Sequence, residues 1–350
     1  MKALVMRSHG DLSHLEVSDV PDPTPPEHGE VVVRLRASAL NHLDLWTLRG
    51  LPGLNLAFPH VLGADGAGIV ESVGPGVTAV APGDRVMINP GVPCYRCRAC
   101  LMGEHPLCDN FRLLGEHLPG TLAELIVLPE HNLAIIPKPA SPQPEVSWAQ
   151  AAAFSLVTLT AWRMLVTRAR LRPGESVLIW GIGGGVSIAA LMISKMVGAR
   201  AVVTSSSDAK LAAALELGAD VVLNHDSSDV VREVRALTGK RGVDVVVENV
   251  GEATWERSLQ LLGKRGRLVT CGATTGPRGT LDIRRMFWHQ WTIMGSTMGS
   301  HSEFQEVVGL LGQGRLKAVV DSVFRLEDAV DAFARLQAGD HMGKIVVEIE

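Results

Sequence analysis

The sequence predicts an α/β fold in which a doubly wound parallel sheet is joined to an irregular all-β domain. Two observations predict the sheet: a glycine-rich turn between an apolar strand and an apolar helix, and five later strand-like runs that alternate with helical stretches. A third predicts the β domain, because short strands separated by turns rich in proline and glycine fill the first 150 residues. At 350 residues the chain is long for one hydrophobic core, so two domains are expected.

The all-β part is read from short β-branched or alternating runs. These are predicted strands at Lys2–Arg7, Glu30–Ala39, Gly68–Val73, Arg85–Ile88 and Ala123–Leu128. An alanine-rich helix is expected at Trp148–Phe154, after which the chain enters the parallel sheet. The last residues add elements to the first domain: a helix at Glu303–Leu311, a strand at Val319–Arg325, a helix at Leu326–Gln337 and a strand at Gly343–Glu348.

A cysteine-rich lobe at residues 90–110 interrupts the β pattern. Of the five cysteines, four lie within it, with two residues between each of the first three and seven before the fourth: Cys94, Cys97, Cys100 and Cys108. A compact loop with this spacing can offer four thiolates to a tetrahedral zinc ion at about 2.3 Å, and a closed Cys₄ shell leaves no position for substrate. We therefore expect one structural zinc per chain. Free thiols or a lost metal are the alternative.

The glycine-rich turn follows Ser176–Trp180, a run typical of a buried parallel strand. Glycines allow positive φ and close approach of the backbone to a ligand, and the free N–H groups of the following helix attract an anion. The candidate pyrophosphate site consists of Gly181, Gly183, Gly184, Gly185 and Val186. Val186 stands where strict G-x-G-x-x-G has its last glycine, so the turn alone is also compatible with a plain strand-to-helix connection.

The elements after the turn provide its context. Further strands are predicted at Ala201–Thr204, Asp220–Leu223, Val243–Glu248, Arg267–Cys271 and Trp291–Gly295, with helices between them at Asp208–Leu217, Asp229–Leu237, Thr254–Leu262 and Ile283–Gln290. Six strands in βαβ alternation form a doubly wound sheet whose ligand crevice lies at the carboxyl ends of the strands, where this turn is placed. The sequence therefore predicts a dinucleotide-binding domain over residues 158–297.

The end of the second strand in this domain indicates which cofactor is preferred. NAD-specific folds place an acidic side chain there to bind the ribose hydroxyls, and by spacing to Gly218 that position falls on Ser205. The hydroxyls of Ser205 and Ser206 and the ammonium of Lys210 suit a 2′-phosphate, so we expect NADPH, with NADH possible. Asp208 is read as an N-terminal residue of the next helix, and a solvated helix position is the alternative for Lys210.

The formal net charge of −4, with scattered basic residues, indicates neither a nucleic acid nor an anionic membrane surface as a partner. Met1–Met6 does not resemble a signal peptide. We expect no apolar stretch long enough to span a bilayer, because Ser155, Thr158 and Arg163 interrupt the apolar run near Ala151. We expect a soluble cytoplasmic protein.

Several motifs resemble the GroES-like catalytic domain of the medium-chain dehydrogenase/reductase superfamily, and the resemblance covers nearly the whole chain. They are Asn41–Asp44, Val61–Gly68, Val73–Val77, Pro82–Val86 and the cysteine lobe. The resemblance implies a GroES-like domain at 1–157 and 298–350, a Rossmann domain at 158–297, and a homodimer or homotetramer. It also implies cofactor contacts from later strand ends, at Asn249, Gly272, Ala273, Ser296 and Met298.

The positions that match the catalytic-zinc ligands of the related alcohol dehydrogenases look like Asn41, Gly63-Ala64-Asp65 and Leu156. Neither Asn41 nor Leu156 supplies a thiolate, and Ala64 has no ligand atom. Leu43 also stands where that group has the hydroxyl of a proton relay. The resemblance therefore implies metal-free chemistry, with a rearranged site that uses His42, Asp44, His60 or Asp65 as the alternative.

Asn41 is the candidate catalytic residue. The zinc-free, quinone oxidoreductase-like branch of the superfamily commonly has asparagine here, near the nicotinamide, and an amide can donate a hydrogen bond to a substrate carbonyl. The alternative is an asparagine that stabilises a turn beside a strand.

Three functions remain open on this basis. The first is an NADPH-dependent reductase of activated double bonds (enone, enal or enoyl thioester) or of quinones, acting on a small carbonyl-conjugated substrate. The second is a zinc-type alcohol dehydrogenase, and the third is a nucleotide-binding protein without catalysis.

Overall fold

The structure, a computed structural model, describes residues 1–138 and 144–350. The chain divides into two compact units. Unit 1 consists of Met1–Leu156 and Gly299–Glu350, and unit 2 consists of Val157–Met298. Unit 2 is therefore an insertion between two segments of unit 1.

Residues 1–138, the first described part of the amino-terminal segment, contain ten strands and two short α-helices. In chain order they are β1 (Lys2–Met6), β2 (Leu15–Asp19), β3 (Glu30–Ala39), α1 (His42–Arg49), β4 (His60–Val61), β5 (Asp65–Val73), β6 (Arg85–Ile88), β7 (Gly91–Val92), α2 (Arg98–Leu101), β8 (Arg112–Leu113), β9 (Leu125–Pro129) and β10 (Leu133–Ile135).

Unit 2 begins within the long helix α3 (Trp148–Trp162), which a π-helical turn at Arg163–Arg168 extends. Its elements are β11 (Ser176–Ile179), α4 (Gly185–Val197), β12 (Arg200–Ser205), α5 (Asp208–Glu216), β13 (Val221–Asn224), α6 (Val230–Leu237), β14 (Val243–Glu248), α7 (Glu252–Leu261), β15 (Leu262–Thr270), α8 (Ile283–His289) and β16 (Thr292–Gly295). The chain then returns to unit 1 with α9 (His301–Gly312), β17 (Val320–Arg325), α10 (Ala329–Ala338) and β18 (Lys344–Glu348).

The sheet of unit 2 confirms the predicted doubly wound fold. Its six strands are parallel in the order β13-β12-β11-β14-β15-β16. Val177, Leu178 and Ile179 of the central strand are fully buried because helices cover both faces of the sheet. All strand carboxyl ends therefore lie at one edge.

Unit 1 is built on a seven-stranded sheet in the order β10-β6-β5-β3-β18-β17, with β9 also paired to β3. Alternate residues of β3, such as Val31, Val33 and Leu35, enter a core that Phe333 of α10 completes. The pairing of β18 with β3 brings residues 344–348 of the carboxyl-terminal segment beside the amino-terminal sheet. These features confirm the GroES-like domain expected from the resemblance.

The glycine-rich segment before Gly68 is part of β5, which begins at Asp65 rather than at Gly68 as the sequence predicted. Glycine is a poor strand former, so propensity argues against this strand. The packing explains it, because a Cβ on Gly68 would lie 2.2 Å from the Arg34 carbonyl oxygen. The two strands approach too closely for any side chain at this position.

One helical stretch, Trp148–Arg168, has the length and hydropathy of a membrane span within the described residues, and 72% of its apolar window is buried inside the protein. The expectation that no stretch is long enough was wrong because the polar residues do not end the helix. Arg163, one of the expected breaks, is itself buried. Burial of this kind is typical of a core helix.

Candidate functional site

The glycine turn has the geometry of a phosphate cradle. Gly181 (φ 64°) and Gly183 (φ 136°) adopt backbone angles that favour glycine, and Gly184 caps α4. The Gly181 N–H donates to Thr204 Oγ1 at 3.3 Å, which ties the turn to the end of β12. A Cβ on Gly184 would meet no atom within 4 Å, so space lies open at the helix start. An anion can approach the backbone there.

The predicted cofactor residues from later strands follow β14, β15 and β16, whose carboxyl ends share this edge. Asn249 donates its amide N–H to Ser187 Oγ of α4 at 3.0 Å, which places it beside the helix that follows the turn. Asn249 Oδ1 and Ser296 Oγ are buried without a hydrogen-bond partner among the described residues. A buried polar atom normally has a partner, and a bound dinucleotide would provide one at this edge. The residues therefore fit the cofactor.

Gly272, Ala273 and Met298 complete the predicted set. A Cβ on Gly272 would lie 3.2 Å from the Asn249 carbonyl oxygen, so the loops after β14 and β15 are closely packed. The Ser296 N–H donates to the Thr270 carbonyl at 2.8 Å, and Met298 adopts a positive φ of 47°. The structure thus brings the three loops together.

A buried carboxylate holds the loop after β14 in place. Glu248, fully buried, accepts hydrogen bonds from the N–H groups of Val250 (2.8 Å) and Gly251 (3.0 Å). It also accepts from the hydroxyls of Thr254 (2.9 Å) and Ser258 (2.5 Å). Nothing in the sequence distinguished Glu248 from an ordinary strand end, and only the fold shows that it fixes the shape of the Asn249 loop.

The proposed phosphate-selective corner lies at the end of β12. Ser205 is buried and its Oγ accepts from the Ser207 N–H at 3.1 Å, whereas Ser206 is exposed and Lys210 lies in α5. Asp208 begins α5 as expected. No carboxylate occupies the Ser205 position, so the feature that would repel a 2′-phosphate is missing from it.

Sequence reasoning missed His225, the residue after β13. Its backbone N–H donates to the Ser205 carbonyl at 3.0 Å. Its Nδ1 lies 3.2 Å from Thr204 Oγ1, the same oxygen that accepts the hydrogen bond of the Gly181 N–H. Burial lowers the pKa of this imidazole. Its place at a strand end next to β12 was the only signal that could have singled it out.

The four cysteines of the lobe converge. Their Sγ atoms all lie within 4.8 Å of one another, with Cys97 and Cys100 at 3.5 Å and Cys94 and Cys100 at 4.0 Å. A tetrahedral site with ligands at about 2.3 Å places its sulfurs about 3.8 Å apart. Among the described residues, no other group of three or more His, Cys, Asp or Glu side chains has ligand atoms this close. The lobe therefore fits a zinc ion.

The electrostatics of the lobe favour a cation at its centre. Backbone N–H groups of Arg96 and Cys97 lower the pKa of the Cys94 thiol to about 6. Burial, reinforced by the neighbouring thiols, raises the pKa of Cys100 to about 12. Four thiolates cannot ionise together at neutral pH without a positive charge among them.

Asn41 lies in a buried polar cluster of unit 1, immediately before α1. Its Nδ2 donates to Asp65 Oδ2 at 2.9 Å and to the Ala39 carbonyl at 3.3 Å. Its Oδ1 accepts from Lys344 Nζ at 2.5 Å, and the same ammonium donates to Asp65 Oδ2 at 3.0 Å. The backbone N–H of Asn41 donates to Asp44 Oδ2 at 2.7 Å, so Asn41 also stabilises the start of the helix.

The other positions that match zinc ligands, and two residues of the rearranged set, make contacts within unit 1. Ala64 is buried, and Leu156 contributes its backbone N–H to Asp65 Oδ1 at 2.8 Å. Asp44 Oδ1 accepts from the Gly63 N–H at 3.0 Å, and His60 Nε2 lies 3.2 Å from the Gly115 carbonyl. The residues here do not fit a catalytic zinc ion, and in the described part of the chain His42, Asp44, His60 and Asp65 do not supply three converging ligand atoms.

Comparison with known proteins matches both units to family models. Residues 27–138 match the alcohol dehydrogenase GroES-like domain, and residues 185–313 match the zinc-binding dehydrogenase domain.

Relatives align over almost the entire chain. The NAD-dependent alcohol dehydrogenase of Sulfolobus acidocaldarius is 30% identical over 100% of both chains. The acryloyl-coenzyme A reductase of Metallosphaera sedula is 30% identical over 99% of both. A crystal structure of an NAD-dependent alcohol dehydrogenase is 45% identical, with a TM-score of 0.94 and full coverage of both chains.

The Glu248 network predicts a measurable stability effect. Glu248→Met leaves two buried N–H groups and two buried hydroxyls without their acceptor, so we expect the free energy of unfolding to fall by at least about 2 kcal/mol in urea titrations. Glu216→Met, the same change at an exposed position of α5, should stay within about 0.5 kcal/mol of the unaltered protein. Equal unfolding curves for both variants would show that the carboxylate does not hold this loop.

Proposed function

Since the chain belongs to the medium-chain dehydrogenase/reductase superfamily of oxidoreductases, we propose that it uses NADPH to reduce a conjugated carbonyl compound or a quinone without a catalytic metal. The observation that carries this proposal is the replacement of the catalytic-zinc ligands by Asn41, Ala64 and Leu156. Two of these side chains have no ligand atom, and the third is an amide already bound to Asp65 and Lys344.

The side chains at the positions of the catalytic-zinc ligands decide between the candidate reactions. An alcohol must lose its hydroxyl proton as hydride leaves, and a metal ion lowers the pKa of that hydroxyl. A conjugated acceptor needs no such group, because the arriving negative charge spreads onto its carbonyl oxygen, where hydrogen-bond donors stabilise it. The acryloyl-coenzyme A reductase of M. sedula, by its name, reduces such a substrate. Alcohol dehydrogenation, named for other relatives, is the competing outcome of the test.

The bound nicotinamide supplies the hydride, and the residues of this chain bind and orient the reactants. The glycine turn would hold the pyrophosphate at the start of α4, and Asn249 Oδ1 and Ser296 Oγ, buried without partners among the described residues, would form hydrogen bonds with the cofactor. Asn41 is the candidate donor to the substrate oxygen. Its hydrogen bond to the Ala39 carbonyl, at 3.3 Å the longer of the two that its Nδ2 makes, is the one that a substrate oxygen replaces. Solvent delivers the last proton, because the single tyrosine, Tyr95, belongs to the cysteine lobe.

We also propose one structural zinc in the lobe and a homo-oligomer, a dimer or tetramer, located in the cytoplasm. The sulfur distances and the ionisation of Cys94 support the zinc. The oligomer is supported by unit 2, where β16 is an edge strand and α8 exposes Ile283, Phe287 and Trp288. An unpaired edge beside exposed aromatic side chains is typical of a surface that another copy covers.

For the zinc, we expect one ion per chain in metal analysis of the purified protein, held by the four lobe cysteines. Cys97→Ser should lose the metal and lower the melting temperature, since structural zinc contributes on the order of 10 kcal/mol of binding free energy at neutral pH. Cys271→Ser, outside the lobe, should retain it. Two zinc ions per chain would contradict the metal-free reaction.

For the cofactor, we expect a higher kcat/KM with NADPH than with NADH. Ser205→Asp should reverse the order, because the new carboxylate repels the 2′-phosphate and binds the ribose hydroxyls. A charge-assisted contact to the phosphate contributes roughly 1.5–3 kcal/mol, about one to two decades in affinity. Ser205→Asn introduces a side chain of the same size as aspartate but without its charge, and it should keep the NADPH preference. Equal efficiency of the two cofactors in the unaltered protein would defeat this assignment.

For the reaction, we expect NADPH consumption with at least one of a quinone, an enone, an enal and an enoyl-CoA thioester. Asn41→Ala should lower kcat with that acceptor and leave the KM for NADPH nearly unchanged, because the amide acts on the substrate. Asn55→Ala, at an exposed position of the same unit, should change neither constant. Efficient oxidation of simple alcohols together with inactivity toward all four acceptors would overturn the proposed function.

A further inference from the structure

Lys344 carries a buried charge that the proposed reaction has not yet used. It is the first residue of β18, and its side chain is 5% exposed. Two of its three ammonium hydrogens have acceptors, Asn41 Oδ1 at 2.5 Å and Asp65 Oδ2 at 3.0 Å. Burial of an ammonium group is unfavourable unless it is paired, so this position requires its partners.

The ammonium determines which way the Asn41 amide points. Lys344 Nζ can only donate and the Asp65 carboxylate can only accept, so the amide oxygen faces the ammonium and the amide nitrogen faces the carboxylate. A flip of the amide would bring N–H groups against the ammonium and an oxygen against the carboxylate. The orientation of Asn41 therefore follows from the two charges on either side of it.

The same ammonium compensates the charge of Asp65. That carboxylate is fully buried, and Lys344 is the one cationic side chain that pairs with it within the described part of the chain. The remaining contacts of its two oxygens are neutral donors, the Asn41 amide and the Leu156 N–H. Without Lys344 the carboxylate would keep its hydrogen bonds from Asn41 and Leu156 but would lose the one from the ammonium together with its counter-charge.

We propose that Lys344 is a positioning residue of the reaction, whose ammonium provides the fixed positive charge at the positions that have lost the zinc ligands. It holds the Asn41 amide with one N–H on Asp65 and the other on the Ala39 carbonyl, the bond that a substrate oxygen would replace, and it places a positive charge beside the Asp65 carboxylate. This role rests on the proposed metal-free reduction and adds to it the group that makes Asn41 competent.

Steady-state kinetics separate this role from a purely structural one. Lys344→Met should lower kcat about 10- to 100-fold with the acceptor that the unaltered protein reduces, because a small misplacement of a binding group has effects of this size. The KM for NADPH should stay within about threefold, since the cofactor residues belong to unit 2. Lys344→Arg should recover most of the rate, and Lys317→Met, at an exposed position of the same unit, should have no effect.

A double variant tests whether Lys344 acts through Asn41. If it does, Asn41→Ala with Lys344→Met should be no slower than the slower single variant, because the second change removes a function already lost. Multiplied effects of the two changes, or full activity of Lys344→Met, would overturn the proposal.

Unfolding in urea provides a readout that does not depend on any acceptor. Lys344→Met and Asp65→Asn should each lower the urea midpoint, and the double variant should lower it by less than the sum, since it leaves no uncompensated charge. If Lys344→Met fails to fold, the recovery of folding by the added Asp65→Asn gives the same answer. Additive midpoint shifts would overturn the charge pairing. Inactivity of the unaltered protein toward every acceptor would instead overturn the proposed function, and with it the kinetic role of Lys344. The charge pairing is tested by the urea midpoints alone.

Discussion

The packing at the centre of unit 1 depends on the hydrogen bonds of one residue, Asp65. Its backbone carbonyl accepts from the hydroxyls of Ser38 and Thr121, and its side chain accepts from Asn41, Leu156 and Lys344. Strands β3 and β18 and the helices α1 and α3 thus meet around one residue at the start of β5. Because a buried charge tolerates little displacement from its partners, these elements cannot shift independently.

Different groups stabilise the buried carboxylate in each unit. Glu248 in unit 2 is surrounded by backbone N–H groups and hydroxyls, which stabilise the charge through dipoles alone. Asp65 in unit 1 has fewer dipoles and a full counter-charge. The first arrangement shapes the loop of Asn249, one of the residues proposed to bind the cofactor. The second leaves a cation close to the amide proposed to bind a developing oxyanion.

The sheet of unit 2 could be predicted because most of its strands are short apolar runs between turn residues, and such runs can be recognised without knowledge of a distant partner. The convergence of the four lobe cysteines could also be predicted, because these residues are close in sequence. The first part of β15 was not predicted, because the charged residues Lys264 and Arg265 interrupt its pattern. Helix α1 escaped prediction because it is short and mixes polar with apolar residues.

The polar cluster of unit 1 could be predicted only in part. Asn41 and Asp65 were found through a resemblance to motifs, but Lys344 lies 303 residues from Asn41 and looks like an ordinary lysine at the start of a strand. Its role depends on the pairing of β18 with β3, a contact that no local pattern reveals. Glu248 was hidden for the same reason, as its significance depends on which donors the fold turns toward it.

The insertion of unit 2 into unit 1 has a consequence for the order of assembly on the ribosome. Residues 157–298 form a contiguous unit and can fold as soon as they emerge, since domains generally fold as units during synthesis. The first 156 residues contain Asn41 and Asp65 but not β18, the strand whose Lys344 carries the counter-charge of Asp65. The nascent chain therefore carries an unneutralised carboxylate until β18 is translated and adds to the edge of β3. Completion of the central sheet and neutralisation of the candidate site are a single late event.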